Sequence, residues 1–155
     1  MEQGPRELQF IEQVGMFLER EGMPRMAGRL LGYLLICDPP EQSSAQLATA
    51  LSASKGSIST NTRLLIRTEL VEKVAMPGKR GSWFRVKTNA WQQLMEHQLV
   101  ALTTFRTLLD EGLAMLTGTS AGRRKRLENT RDFYVFMETE FPQVLEHWKQ
   151  RQADI

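Results

Sequence analysis

The sequence is poor in the residues on which several kinds of site depend. Its 155 residues include one cysteine and two histidines. A single cysteine excludes an intrachain disulfide and fits the reducing cytoplasm, where we expect the protein to reside. His97 and His147 lie fifty residues apart, each beside a glutamate, which is not a metal-ligand spacing. The sequence therefore predicts neither a metal site nor a cofactor.

Long apolar runs and nucleotide-binding motifs are missing too. No stretch approaches the roughly 20 apolar residues of a membrane span, and the amino terminus lacks a signal-peptide pattern. The sequence contains no P-loop, dinucleotide fingerprint or nucleophile motif. With 41% hydrophobic and 25% charged residues, its composition is that of an ordinary soluble domain. We therefore expect neither an enzyme nor a membrane protein.

The stretch from Gln42 to Thr88 carries the clearest local signals. Ser43 can cap a helix, and Gln46, three residues later, completes a capping box. A short polar turn at 52–54 then leads into a second helix, predicted over about 55–69. The chain therefore predicts two helices joined by a tight turn.

The second helix has an apolar and a polar face. Ile58, Thr62 and Leu65 share one side and are predicted to pack inward. The other side and the first turn mix cations with short hydrogen-bonding side chains. These residues are Lys55, Gly56, Ser57, Thr60, Asn61, Arg63 and Arg67. Such a face can enter a groove that large aliphatic side chains would obstruct.

Two short segments of strand composition follow, at 70–74 and 83–87. Between them, the proline and glycines of Pro77–Ser82 predict a turn with Lys79 and Arg80 at a flexible tip. Two helices followed by such a ribbon have the layout of a winged helix-turn-helix. That module places one helix in the major groove of DNA.

Positive charge is concentrated in the same part of the chain. Residues 54–90 hold eight cationic and two acidic side chains, a local net charge of +6, whereas the whole chain carries +2. A polyanion is therefore drawn to this region. We predict binding to double-stranded DNA through Ser54, Lys55, Gly56, Ser57, Thr60, Asn61, Arg63, Arg67, Lys79 and Arg80. Two alternatives stay open: a solvated surface hairpin, and a winged helix that binds an acidic protein.

Helices are predicted on both sides of this module. Residues 6–21 have the periodicity of an amphipathic helix, and Pro24 opens another. A long helix is predicted over about 90–117, roughly 42 Å at the helical rise per residue. A further helix is predicted over about 121–140, and Pro142 is predicted to start the last one.

The long helix carries two apolar stripes. One is Met95, Gln98, Leu102, Phe105, Leu109 and Leu116, and the other is Leu94, Ala101, Leu108 and Met115. Two apolar faces imply two partners, one in the same chain and one in a second copy. We therefore predict a homodimer whose two reading helices lie about 34 Å apart on a nearly palindromic operator.

The predicted fold is mainly α with a small β-wing. It comprises an N-terminal helical arm at 1–22, a winged helix-turn-helix at 23–88 and a C-terminal helical dimerisation region at 89–155. The expected protein is a repressor that blocks a promoter. A ligand would release it by favouring a dimer whose reading helices no longer match the operator spacing.

Four segments resemble the GbsR branch of the MarR-like bacterial regulators. They are Gly22–Leu35, which is similar to the opening signature, Ser54–Ser59 at the start of the reading helix, Pro77–Arg80 in the wing, and Arg131–Tyr134. The resemblance covers about residues 8–150. It implies a homodimeric, cytoplasmic, DNA-binding transcription factor, usually a repressor. The identity of a ligand does not carry over, because no ligand-binding motif matches residue by residue.

For several residues the sequence leaves more than one interpretation open. Cys37 is either a redox-sensing thiol or a structural cysteine, and the lack of an adjacent cation to lower its pKa favours the structural role. Arg25 and Arg29 meet either phosphate or an acidic side chain. The basic run at 123–126 contacts DNA backbone or an acidic partner surface, or is a solvated first turn.

Aromatic residues suggest an effector pocket. An aromatic cage would suit a quaternary ammonium group, although aromatic residues at helical spacing more often belong to the core. Our candidates for contact with a small-molecule effector are Tyr33, Trp91 and Met95.

Overall fold

The computed structural model describes residues 4–118 and 121–153. Its elements in chain order are α1 (Pro5–Arg20), α2 (Arg25–Ile36), β1 (Gln42–Ser43), α3 (Ser44–Ala50), α4 (Lys55–Arg67), β2 (Val71–Val74), β3 (Trp83–Val86), α5 (Ala90–Met115) and α6 (Ala121–Ala153). The chain divides into two compact units, one ending at Trp91 and one beginning at Gln92. The predicted fold class, mainly α with a small β-wing, is confirmed.

Helices α1 and α2 pack closely because glycines face each other where they meet. A Cβ atom at Gly28 would lie 2.7 Å from the Cα of Gly15 and 2.8 Å from the carbonyl oxygen of Val14. A Cβ atom at Gly32 would lie 3.1 Å from the Cβ of Val14. Larger residues at these positions would separate the two helices, so the glycines hold α1 firmly on α2.

The sheet has three strands where the sequence predicted two. Its order is β1-β3-β2, and both pairs are antiparallel. The short strand β1 forms because its first residue is held in place: Gln42 accepts a bond from the Tyr33 hydroxyl (3.2 Å) and donates to the carbonyl of Pro39 (2.6 Å). The partner of β1 is β3, where Gln42 pairs with Phe84, and a pairing so distant in sequence gave no local strand signal. The wing is thereby anchored to α2.

One core supports the whole first unit. Its largest fully buried side chains come from α1 to α4 and β2, and they are Ile11, Leu30, Leu31, Leu47, Leu51, Ile58, Leu65 and Val71. The reading helix α4 therefore rests on the same core as α2, and its position is fixed by packing from several elements.

In the second unit, α5 and α6 form an antiparallel hairpin. Phe105 packs against Tyr134 with ring centroids 4.9 Å apart, and a Cβ atom at Gly112 would lie 3.3 Å from a methyl group of Leu127. Ion pairs also link the two helices: Asp110 of α5 binds Arg131 of α6, and Arg106, which pairs with Asp110 within α5, binds Glu138 of α6 at 2.6 Å.

Helix α6 is continuous, so the predicted break before Pro142 was wrong. An internal proline lacks an N–H and crowds the carbonyl four residues earlier, which normally kinks or ends a helix. Here ion pairs to α5 hold the helix on both sides of the proline. Arg106 binds Glu138 at 2.6 Å, and Lys149 binds Glu96 at 3.0 Å.

The two apolar stripes of α5 have different surroundings. Leu109 of the first stripe is buried with 6% exposure, whereas Leu108 and Met115 of the second are 55% and 78% exposed. Leu109 therefore packs within the hairpin, whereas Leu108 and Met115 lack a covering partner among the described residues. None of the helices in the described ranges combines the length and apolar character required to cross a membrane.

Candidate nucleic-acid interface

Side-chain caps start both helices of the helix-turn-helix. The hydroxyl of Ser43 accepts a bond from the backbone N–H of Gln46 (3.2 Å), whose side chain accepts one from the N–H of Ser43 (2.8 Å). Ser52 turns the chain with φ of 49°, and the hydroxyl of Ser54 then accepts from the N–H of Ser57 (3.1 Å). The predicted helix-turn-helix and its capping box are therefore present.

The inner face of α4 is fixed in the core. Ile58, Thr62 and Leu65 are at most 2% exposed, as the periodicity predicted. The hydroxyl of Thr62 donates to the carbonyl of Ile58 at 2.8 Å, so its burial leaves no unpaired donor. Because this face is buried, the opposite face of α4 is presented outward.

That outer face is accessible along the length of the helix. Its exposed residues are Ser54, Lys55, Gly56, Thr60, Arg63 and Arg67, while Ser57 is half-buried. Arg63 donates from Nε to the carbonyl of Ser59 at 3.2 Å, which leaves its terminal nitrogens beyond the helix backbone. Apart from Asn61, the residues predicted for DNA contact on α4 therefore lie together on one surface.

Asn61 departs from this pattern, because it is buried with 7% exposure. It lies three residues after Ile58 and four before Leu65, and both neighbours belong to the inner face. Its amide nitrogen donates to the carbonyl of Ser57 at 2.8 Å. A contact between Asn61 and DNA stays a prediction, and it would require this amide to leave its position.

The wing tip is a hydrogen-bonded turn. The N–H of Lys79 donates to the carbonyl of Met76 at 3.1 Å, and Gly78 has φ of 72°, a value that favours glycine. Lys79 and Arg80 are both exposed, as predicted. The ammonium group of Lys79 lies 4.5 Å from the centre of the Trp83 ring.

Two cations of the region are already paired within the fold. Arg85 binds Glu72 at 2.7 Å and Glu41 at 3.3 Å, and Lys87 lies 3.7 Å from Glu69. The bonds to Glu72 and then Glu41 raise the pKa of the Arg85 guanidinium. Six other cations are exposed, namely Lys55, Arg63, Arg67, Lys73, Lys79 and Arg80. The positive field therefore comes from α4, the edge of β2 and the wing tip.

Arg25 and Arg29 make ion pairs, which was one of their two interpretations. Both bind Glu12 on α1, at 3.0 Å and 2.6 Å. Arg29 also donates to the carbonyl of Leu51 at 3.2 Å, at the end of α3. Arg29 thus links α1 to the turn before the reading helix, a role for which the sequence gave no signal.

The basic run at 123–126 opens α6. Arg124 binds Glu128 at 2.8 Å, and the other three cations of the run are exposed. An acidic residue one turn later compensates the unfavourable position of cations at a helix start.

Tyr33 lines a cleft of about 630 Å³ in the first unit, together with Glu7, Cys37, Gln42 and Gln46 among others. Burial, followed by the nearby Cys37 and Glu7, raises the pKa of the Tyr33 phenol. Trp91 is 50% exposed and does not line this cleft, and Met95 belongs to the second unit.

Cys37 follows the last residue of α2 and is half-buried. Burial raises the pKa of its thiol, and Asp38 and Glu41 add to this against an opposing backbone hydrogen bond. A raised pKa keeps the thiol protonated and less reactive, which supports the structural interpretation. Within 4–118 and 121–153, no three histidine, cysteine or acidic side chains cluster as metal ligands would.

The fold and this surface define a winged helix-turn-helix protein, and comparisons with known proteins give its family. The sequence model of one protein family, the MmpR5-like MarR family transcriptional regulators, matches residues 89–151 of this chain. The chain is 40% identical over 150 residues to the HTH-type transcriptional regulator MmpR5 of Mycobacterium tuberculosis, covering 97% of this chain and 91% of that protein. A crystal structure of a transcriptional regulator has a TM-score of 0.78 at 40% identity, covering 94% of this chain and 99% of that one.

A more distant likeness is to the crystal structure of the S. aureus MepR–DNA complex, with 17% identity and a TM-score of 0.43 over 84% of this chain and 88% of that one.

The chain belongs to the MmpR5-like group of the MarR family of transcriptional regulators. It is therefore a DNA-binding transcriptional regulator, and an interaction module without specific DNA binding is not supported. The resemblance to MarR-like regulators is confirmed, whereas placement in the GbsR branch stays a prediction.

Proposed function

We propose that this regulator is a homodimeric repressor that reads a nearly palindromic operator with the outer face of α4 and the wing. The observation that carries the proposal is the surface of α4, where Arg63 and Arg67 stand among small polar residues opposite a fully buried face. Arginine suits this task because its guanidinium makes two parallel bonds to a guanine edge or to phosphate. The wing adds Arg80 for the phosphate backbone or the minor groove.

Replacing Arg63 by alanine tests this assignment. We expect specific binding to weaken by about 1–3 kcal/mol, with relaxed preference at one operator position. The measurement is fluorescence anisotropy on DNA from the protein's own upstream region and on a scrambled sequence. Arg151→Ala removes an exposed cation near the end of α6 and is the control, for which we expect no change. Unchanged operator affinity of Arg63→Ala would refute the assignment of this face.

Dimerisation is proposed from apolar side chains that each unit leaves exposed. In the first unit, Phe17 of α1 is 60% exposed. In the second unit, Leu108, Met115, Phe133 and Phe136 are all more than half exposed. Exposed apolar residues at this density mark an interaction surface, and a second copy of the chain is the partner that a twofold operator requires.

A small-molecule effector is proposed to bind in the cleft lined by Tyr33. The cleft adjoins α3 through Gln46 and β1 through Gln42, so a ligand there contacts elements next to the reading helix and the wing. Compounds that release the protein from its operator should lose their effect on Tyr33→Ala and keep it on Trp91→Ala. The reverse pattern would place the effector outside this cleft.

A further inference from the structure

The two adjacent cations of the wing tip have different surroundings. Lys79 closes the turn with its backbone N–H, and its ammonium group lies 4.5 Å from the centre of the Trp83 ring. This distance is within the roughly 6 Å over which an aromatic face attracts a cation. Arg80 is exposed and is followed by Gly81 with φ of 99°, so the chain turns sharply beside it. No ring or carboxylate among the described residues holds its guanidinium.

The indole ring of Trp83, over which the ammonium group of Lys79 lies, is held in place by the sheet. Trp83 is 8% exposed and belongs to the central strand β3, where it is in register with Val74 of β2 and Ser43 of β1. A side chain held on two sides by neighbouring strands does not follow the movements of the tip. An ammonium group bound to that ring therefore ties the tip to the sheet.

We propose that Lys79 braces the wing on Trp83, and that Arg80 is the cation with which the wing tip contacts DNA. Lys79 is then a positioning residue, whereas Arg80 touches phosphate or enters the minor groove. The inference rests on the proposed DNA-binding function. It revises the expectation that both cations act alike, because only one of them is bound within the fold.

Binding across a salt series separates the two roles. Arg80→Ala should make the fall of log K with log salt less steep by about 1, which is the effect of losing one phosphate contact. Lys79→Met and Trp83→Leu should each weaken binding severalfold, and the double variant should be no weaker than either single one. Trp83→Phe keeps a ring and should restore most of the affinity. Additive losses, with a slope change at Lys79 as large as that at Arg80, would overturn the proposal.

Proton NMR of the full-length protein provides a readout independent of DNA. The ε-methylene protons of Lys79 should be shifted upfield by the indole, and Trp83→Leu should abolish the shift. The shift should persist in the complex with upstream DNA, because the brace is retained there. Its absence in the free protein, or its loss on DNA binding, would overturn the proposal. If the wild type did not prefer its upstream DNA, the proposed function would fail, while the spectrum of the free protein would still test the brace.

Discussion

At the scale of single residues, Gly56 is an exposed glycine for which the fold gives no packing reason. A Cβ atom there would meet nothing closer than the hydroxyl of Ser54 at 3.9 Å. Glycine destabilises a helix by up to about 1 kcal/mol relative to alanine. Close approach of a DNA phosphate would explain a glycine at this position. The backbone N–H groups at a helix N-terminus bind anions well when no side chain covers them.

Replacing Gly56 by alanine should therefore stabilise the protein slightly and weaken its binding to DNA. Gly122 is a matched control, since it is also the second residue of a helix and also faces open space. Thermal unfolding should show a small rise for both alanine variants. Anisotropy titrations should show weaker operator binding for Gly56→Ala alone. Equal operator affinity of the two variants would remove the argument for phosphate contact.

Periodicity predicted the inner face of α4 correctly but missed the position of Asn61. The pattern identified Ile58, Thr62 and Leu65 because apolar or small residues recur at helical spacing. Asn61 is polar, so the periodicity did not indicate that it is buried. In the structure it is buried, and its amide nitrogen donates to the carbonyl of Ser57. The pairing of Arg85 with Glu41 joins residues 44 positions apart, which no local pattern encodes.

At the scale of elements, the carboxylate of Asp110 is one of the groups that link α5 to α6. Asp110 binds Arg131 and Arg106, and the bond from Arg131 is the main cause that lowers the pKa of Asp110. A pKa lowered by folding stabilises the folded state above the unfolded pKa, which is about 3.9 for aspartate. This stabilisation is lost as the pH falls from there through the lowered pKa.

Asp110→Asn should therefore lower the melting temperature at neutral pH, and the difference from the wild type should shrink below about pH 4. The measurement is thermal unfolding followed by circular dichroism between about pH 7 and pH 3. Asp132→Asn is the control, because that neighbouring side chain is 74% exposed and lies 4.0 Å from Arg131. A constant difference across this pH range would show that the carboxylate charge does not stabilise the hairpin.

Helix ends were predictable where caps specify them, and not where tertiary contacts do. Ser43 and Ser54 gave the starts of α3 and α4, because their hydroxyls accept bonds from the first turn. The continuation of α6 through Pro142 is accompanied by ion pairs to α5 that no local pattern in the sequence indicates. The strand β1 was missed because its partner β3 lies far along the chain, so its two residues carry no local strand pattern.

At the scale of the whole molecule, operator binding is proposed to require two copies of the chain. Leu108→Glu places a charge on the exposed stripe of α5, and an unpaired charge buried in an interface is costly. We expect light scattering to show a monomer and operator affinity to fall on the order of 10²-fold, because the second reading helix is no longer tethered. Thr107→Glu adds the same charge one residue away and should remain dimeric. A dimeric Leu108→Glu would exclude this stripe from the interface.

The central claim is that α4 and the wing read a specific DNA sequence through exposed cations, among them Arg63, Arg67 and Arg80, and the polar face of α4. The most direct test measures binding to the protein's own upstream DNA and to a scrambled sequence across a salt series. The account predicts tighter binding to the upstream sequence and a steep fall of affinity with salt on both. Equally weak binding to the two sequences, with little dependence on salt, would contradict it.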